Sequence, residues 1–461
     1  MKTLAGSAVK VHRGGLTERL KPWYALRRLR GRRSWTASAI ATLPLAFWIL
    51  LTNYLSAFRW GHGTATFLAL GSLVTLLLAL RHVAIERVGT VRAADIPRCP
   101  PRLLLIVLLF GASAWLAERA YEGFVNRPDY LLDISLNTYT ASSAFLDGHN
   151  PYAEPTQLGR KPPPGPHVEV DGTETRLFGV RYYHGHPYFP LMFLTYVPMC
   201  YFVDSYAAMR ITNMVLLLAN VLAVVLIIRR LIRGPGVTEA CLLAVAAYLT
   251  MGYYAHGLFV HGTVDVLIST YALWGYYSVA CRRDWAAGVL FGLAQSCKLL
   301  PGPLLVLPLL WVLWGQRRAT RIVVGYLVTS LLVVGPFVAA DPEAFLSATI
   351  LFYLAKHAAG DDTALWFFLP RLFKLPFLIV GFGLMLVGAT MLARPRSGRI
   401  VDAIAGSFCA YVIFMAFAKM THLNYLWSIL PLGAIALAGY CHQHACQEQN
   451  AGRTERLMRA R

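Results

Sequence analysis

Apolar stretches long enough to cross a bilayer recur along this chain from Ile40 to Tyr440, and no other feature limits its fold so tightly. A hydrocarbon core of about 30 Å requires about 20 apolar residues per helical crossing, and every backbone amide within it must be bonded inside the segment. Candidate spans cover 36–57, 64–80, 103–120, 206–228, 239–257, 263–281, 285–299, 301–315, 320–340, 374–393, 399–419 and 424–440, which is about twelve by that length rule. Of 461 residues, 57% are hydrophobic and 14% charged, and the mean hydropathy is +0.51. Lipid is therefore the solvent for most side chains. The sequence predicts an all-α polytopic membrane protein, a bundle of about 12 transmembrane helices with two long extracytoplasmic loops, 121–188 and 341–372.

Charge gives the orientation. The net charge of +20 sits in short basic clusters between apolar segments, not on a soluble domain, so the clusters predict topology and argue against a nucleic-acid partner. Residues 1–35 form a basic cytoplasmic segment whose one acid is Glu18. Arg32 and Arg33 resemble a twin-arginine signal, but the span that follows reads as an uncleaved anchor. With the N-terminus inside, Arg81 to Arg102, Arg229 to Arg233, Arg282 and Arg283, Arg317 to Arg321, Arg394 to Arg399 and the tail 441–461 all fall on the cytoplasmic side. This arrangement requires Phe189 to Val203 to dip into the membrane and return, and Pro190 and Pro198 disfavour an uninterrupted span there. The two outer loops then hold twelve of the 23 acids, which places the chemistry outside. No internal repeat of the transporter kind is visible. The 8 cysteines outline no disulfide framework.

Several polar constellations lie at the outer ends of spans. Asp133 opens a helix-like stretch that carries Tyr139; its carboxylate suits a general base for an acceptor hydroxyl, or alternatively a helix N-cap. Asn150 and Tyr152 follow in Gly148-His-Asn-Pro-Tyr152. Beyond a proline-rich linker at Lys161 to Pro166, the cluster Tyr182-Tyr-His184-Gly-His186-Pro-Tyr188 combines aromatics with two histidines. It fits acceptor contacts better than a metal, because no third ligand is adjacent. Asp265, in His261-Gly-Thr-Val-Asp265, and Lys298, before the Pro301-Gly-Pro303 corner, are ionisable residues at the lipid boundary, where such groups face a cavity or a partner. Lys298 suits a phosphate as a point charge, or else snorkels to the interface. Lys356 and His357 in the second loop either close over a lipid phosphate or belong to a solvated loop anchored by aromatics. His422 lies in the outer turn before the last span. The Cys441-His-Gln-His444-Ala-Cys446 run lacks a zinc-finger spacing and lies on the cytoplasmic side.

Taken in order, Asp133 with Tyr139, Gly148-His-Asn150-Pro-Tyr152, Tyr188-Phe-Pro190-Leu191, and the run from Ala286 through Gly292 to Lys298 and Pro301 resemble a family. It is glycosyltransferase family 87 of the GT-C superfamily, the polyprenyl-phosphate-mannose-dependent mannosyltransferases of bacteria. The resemblance covers roughly 103–440, implying a GT-C-like catalytic domain there and two additional helices in 36–102. It further implies a bacterial inner-membrane enzyme that moves mannose or another sugar, with inversion, from a polyprenyl-phosphate-linked donor to a glycolipid or glycan acceptor, with no nucleotide donor; from the residues themselves no metal or other cofactor is expected. Carried over residue by residue, the base falls on Asp133 and a later-loop histidine on His357. The chain departs from the pattern at His261 and Asp265, where a Gln- or Asn-like pair is expected, and at His186; these departures bear on the sugar and the acceptor. Other classes consistent with the composition are a lipid or solute transporter or flippase, and a polymer ligase using a lipid diphosphate donor.

Overall fold

The computed structural model describes residues 102–154, 168–171, 174–232, 236–249, 254–299, 301–355, 399–417 and 428–439. The expected spans 36–57, 64–80 and 374–393, the N-terminal segment and the tail lie outside the described residues. Helix α1 (Arg102–Tyr121) runs into a π turn, Glu122–Asn126, and α2 spans Asp133–Leu146. After the strands come two short helices, α3 (Leu191–Leu194) and α4 (Val197–Phe202), and then α5 (Ala207–Leu231), α6 (Val237–Leu249) and α7 (Tyr254–Phe259). The chain continues with α8 (Val266–Ala280), α9 (Asp284–Gln295), α10 (Pro301–Val312), α11 (Arg317–Ala340), and α12 (Pro342–Leu346) with the helical turns after it to Ala355. Helices α13 (Ile400–Phe417) and α14 (Leu430–Gly439) close the described part.

Helix α8 lies at the centre, packed on α5 and α9; α9 packs in turn on α11, α10 on α13, and α1 on α6. Most residues of α8 are buried, whereas α11 buries only Ile322 and Gly325 and turns Leu331 and Leu332 outward at 72% and 69% exposure. A full-length helix with leucines on its open face matches a lipid environment and not water. Polar staples hold the interior. Asn220 of α5 donates to Tyr248 Oη of α6 and to Ser269 Oγ of α8, and Tyr276 Oη of α8 donates to Leu305 O of α10. Each satisfies groups that would be costly to bury unpaired.

Among the described residues, two helices, Ala207–Leu231 and Arg317–Ala340, are long and apolar enough to cross a membrane, and five apolar helices are shorter. The described residues do not reach the expected count of about twelve spans. Helices α9 and α10 have 12 residues each and measure about 18 Å, so expected spans 285–299 and 301–315 are half-length helices meeting at a break. The stretch Phe189 to Val203 is indeed not a span. It forms α3 and α4, with the prolines at helix starts, Pro190 as the N-cap of α3 and Pro198 in the first turn of α4, where their missing N–H costs nothing.

The all-α expectation needs one correction. A three-stranded antiparallel sheet lies within residues 121–188, β1 (Val168–Asp171), β2 (Glu174–Leu177) and β3 (Val180–Arg181), with Val168 opposite Leu177 and Leu177 opposite Val180. Alternating Val-Glu-Val-Asp and Glu-Thr-Arg-Leu supplies the two-residue period, and the Phe178–Gly179 turn has both φ angles positive, 53° and 78°, the geometry that matches strand twist.

The α9–α11 contact depends on small residues. A Cβ on Gly288 would lie 2.5 Å from Ile322 O, and one on Gly292 would lie 2.7 Å from Tyr326 O, so this GxxxG pair lets the backbones touch. Gly288→Val should lower stability by about 1–3 kcal/mol, read as a lower thermal midpoint in detergent micelles. An unchanged midpoint would show that the helices can separate at no cost.

Candidate active site

The break between α9 and α10 builds the centre of the site. Helix α9 ends at Gln295, and the next carbonyls pair sideways: Phe189 N donates to Cys297 O at 3.1 Å and Leu191 N to Ser296 O at 3.0 Å. This pairing brings Tyr188 alongside Lys298, whose ammonium sits 5.1 Å from the Tyr188 ring centroid. The same ammonium forms an ion pair with Asp265, whose side chain is 1% exposed against 11% for Lys298. Two charges so far from water are tolerated only in each other's company.

Tyr353, in the helical turns after α12, closes the group. Its ring lies 6.2 Å from that of Tyr188. Burial above all, then the negative charges of Asp265 and Asp133, pushes the Tyr353 pKa up.

Asp133 is exposed at the start of α2. Leu132, not Asp133, occupies the N-cap position, with extended backbone at φ −72° and ψ 159° and no side-chain capping bond. The carboxylate lies in the first turn, where the helix dipole favours negative charge, and its Oδ1 accepts from Ile134 N at 2.6 Å. The loop before it is tied to the loop before Asp265: Leu132 N donates to His261 O at 3.0 Å.

Other expected site residues make contacts within the protein. Tyr139 donates to Asp204 Oδ1 at 3.2 Å and packs edge-on against Tyr206; burial and that carboxylate raise its pKa. Asn150 Oδ1 accepts from Tyr152 N at 3.1 Å, a local turn of the kind asparagine favours. Tyr152 is fully buried against Phe337 and Phe345 and donates to Tyr188 O at 3.0 Å, pegging the 182–190 segment in place. Gly185 is needed there, since a Cβ would meet Tyr152 O at 1.9 Å. His186 is enclosed by Tyr152, Tyr188 and Phe193, and burial lowers its pKa to about 3, so it packs as a neutral ring. His184, at φ 59°, stacks near Tyr182 at 4.3 Å, its pKa lowered by burial. His261 lies between Tyr130 and His256, and burial, then the charge of Arg127, lowers its pKa to about 4. Lys356, His357 and His422 lie outside the described residues. Among the described residues, no group of three or more His, Cys, Asp or Glu side chains could hold a metal ion.

Two side chains of α5, Arg210 and Asn213, and the hydroxyl of Tyr353 do not stand out in the sequence. Arg210 has no charged neighbour in the chain that would mark it, and Tyr353 is one aromatic among 23 tyrosines.

Helices with apolar outer faces and charged groups gathered at the broken ends of short helices define a membrane-embedded protein. The model of glycosyltransferase family 87 matches residues 186–418, half of the chain, and the chain belongs to that family. It is a glycosyltransferase. The matched stretch holds Tyr188, Asp265, Lys298 and Tyr353 and begins downstream of Asp133. Two crystal structures of ArnT from Cupriavidus metallidurans are similar in fold, one bound to undecaprenyl phosphate (TM-score 0.44, 17% identity) and one in the apo state (TM-score 0.43, 18% identity). Each comparison covers 74% of this chain and 60% or 59% of the ArnT chain, so the chain spans less than two thirds of the ArnT length. No curated protein matches.

Removing one member of the buried pair tests its cost. Lys298→Ala leaves Asp265 without its counter-charge and should destabilise the protein by about 3–5 kcal/mol, whereas Asp265→Asn combined with Lys298→Gln should recover much of that loss. Thermal unfolding of the purified variants measures both; a Lys298→Ala protein as stable as the parent would contradict a tightly coupled pair.

Proposed function

We propose that this glycosyltransferase moves a hexose, most simply mannose, from a polyprenyl monophosphate to a hydroxyl of a glycolipid or glycan on the extracytoplasmic side of a bacterial inner membrane. In this reading both termini are cytoplasmic, the region 103–440 is a GT-C-like bundle, and the apolar tail of the donor lies between helices. The acceptor oxygen attacks the anomeric carbon from the face opposite the phosphate. The new C–O bond forms as the bond to phosphate breaks, its electron pair leaves with polyprenyl phosphate, and the configuration inverts. Asp133 takes the acceptor proton as general base.

Lys298 is proposed to face the departing phosphate, held in direction by Asp265 and by the Tyr188 ring. A fixed positive charge in a poorly hydrated site stabilises developing negative charge better than the same charge in water. Lys356 and His357 are proposed to complete the phosphate side from the second outer loop, and His261 and His422 to border the sugar or acceptor. The chemistry as drawn uses no metal, because lysine supplies the charge.

The observation that carries this reading is the pairing of roles: an exposed carboxylate at the head of α2 and a buried ion pair at the α9–α10 break, with the segments that precede Asp133 and Asp265 joined by the bond from Leu132 N to His261 O at 3.0 Å. One group is open to a water-soluble acceptor, and the other is sheltered as a lipid phosphate requires. Asp133→Asn should fold normally, bind a polyprenyl-phosphate-mannose donor with unchanged affinity, and lose transfer by about 100-fold or more. Normal turnover by that variant overturns the assignment.

A further inference from the structure

Near the N-terminal end of α5, Arg210 and Asn213 bind six backbone carbonyls, three in the 127–130 loop, two at the C-terminal end of α7 and one, Thr263 O, in the turn that follows it. Arg210 is fully buried. Its Nε donates to Phe259 O at 2.8 Å, Nη1 to Pro128 O at 2.9 Å, and Nη2 to Arg127 O at 2.8 Å and to Tyr130 O at 2.5 Å. Asn213 Nδ2 donates to Leu258 O at 3.2 Å and Thr263 O at 3.1 Å, and its Oδ1 accepts from Tyr196 Oη at 2.7 Å. Burying a guanidinium is costly, and here its hydrogen bonds go to main chain, with Asp129 near enough to act on its charge. Only the planar, five-donor fork of arginine can reach four carbonyls at once; a lysine ammonium has three donors on a flexible stem.

The two loops have a common outcome. Residues 127–132 lead directly into Asp133 and residues 259–264 into Asp265, and the bond from Leu132 N to His261 O joins the two segments directly. We infer that Arg210 is a positioning residue for glycosyl transfer, setting the separation between Asp133 and the Asp265–Lys298 pair by holding both approach loops from a single helix. The inference rests on the proposed roles of those residues. Arg210 lies away from the reacting atoms and works through backbone geometry, and a misplacement of about 1 Å in such a site costs on the order of 100-fold in rate.

The full-length protein in lipid nanodiscs, with a polyprenyl-phosphate-mannose donor, provides the test. Arg210→Lys should lower kcat per folded molecule by roughly 10- to 100-fold and leave the donor KM within about twofold, the split expected when only the transition state loses support. Amides of 127–132 and 259–264 should both exchange faster with deuterium. Leu132→Pro removes the tie to His261 O at a backbone φ, −72°, that proline adopts; it should lower kcat in the same sense, and it decides the matter if Arg210→Lys fails to fold. Arg318→Lys is the control, because Arg318 forks onto Asp284 and Val279 O at the other end of the bundle; it should lower the unfolding midpoint and leave kcat unchanged. Parental kcat in a folded Arg210→Lys protein, parental kcat in Leu132→Pro where Arg210→Lys does not fold, or an equal kcat loss in the Arg318 control, overturns the inference. If Asp133→Asn itself turns over normally, the base assignment falls, while faster exchange in both loops of Arg210→Lys still reports the clamp. If Asp133→Asn is inactive and Arg210→Lys is fully active, the positioning role alone falls.

Discussion

Backbone carbonyls in irregular loops need donors, and beside a membrane they cannot rely on water to supply them. In this protein α5 meets the need: the Arg210 fork and the Asn213 amide satisfy carbonyls on both sides of the helix end. The conformations of the loops at 127–132 and 258–264 follow from that satisfaction, and the directions of α2 and α8 follow from the loops. Asp133 and Asp265 begin or precede those helices, so two acids 132 positions apart in the chain take their places from one buried cation.

A second constraint acts from the opposite side. Helix α9 stops short at Gln295 and α10 begins at Pro301, leaving Ser296 and Cys297 to pair with the Phe189–Leu191 segment. The break exposes the end of a half-helix to the interior and allows a lysine to meet an aspartate that a continuous span would keep from it. Tyr152 and His186 contribute as packing, filling the space behind Tyr188, so the aromatic-rich outer segment serves largely as a wall that holds Tyr188 against Lys298.

How much of this was legible in the sequence differs by residue. The apolar runs of α5 and α11 announce full-length helices, and the prolines of Phe189 to Val203 foretell that no span forms there. Asp265 and Lys298 draw notice because ionisable groups at the lipid boundary are expensive. Their partnership is not legible, since it depends on a tertiary contact between helices of different origin. His184 and His186 read as a polar pair, yet burial makes His186 a neutral packing ring, and nothing local in Tyr-His-Gly-His-Pro-Tyr reveals which side faces inward. The sheet was missed because strands of four residues carry a weak pattern beside spans of twenty. Arg210 was hidden inside an apolar helix start, and a clamp on main-chain carbonyls leaves no trace in side-chain patterning.

In the proposed reaction, this membrane-embedded glycosyltransferase displaces a polyprenyl monophosphate in a single inverting step. The direct measurement is the fate of both bonds in one reaction: purified enzyme in nanodiscs, a polyprenyl-phosphate-[13C]mannose donor of known anomeric configuration, and magnetic resonance of the product alongside chromatography of the released lipid. The account predicts one polyprenyl monophosphate released per sugar transferred, with the opposite configuration at the labelled carbon. Retention of configuration, or turnover only with a lipid diphosphate donor, would contradict it.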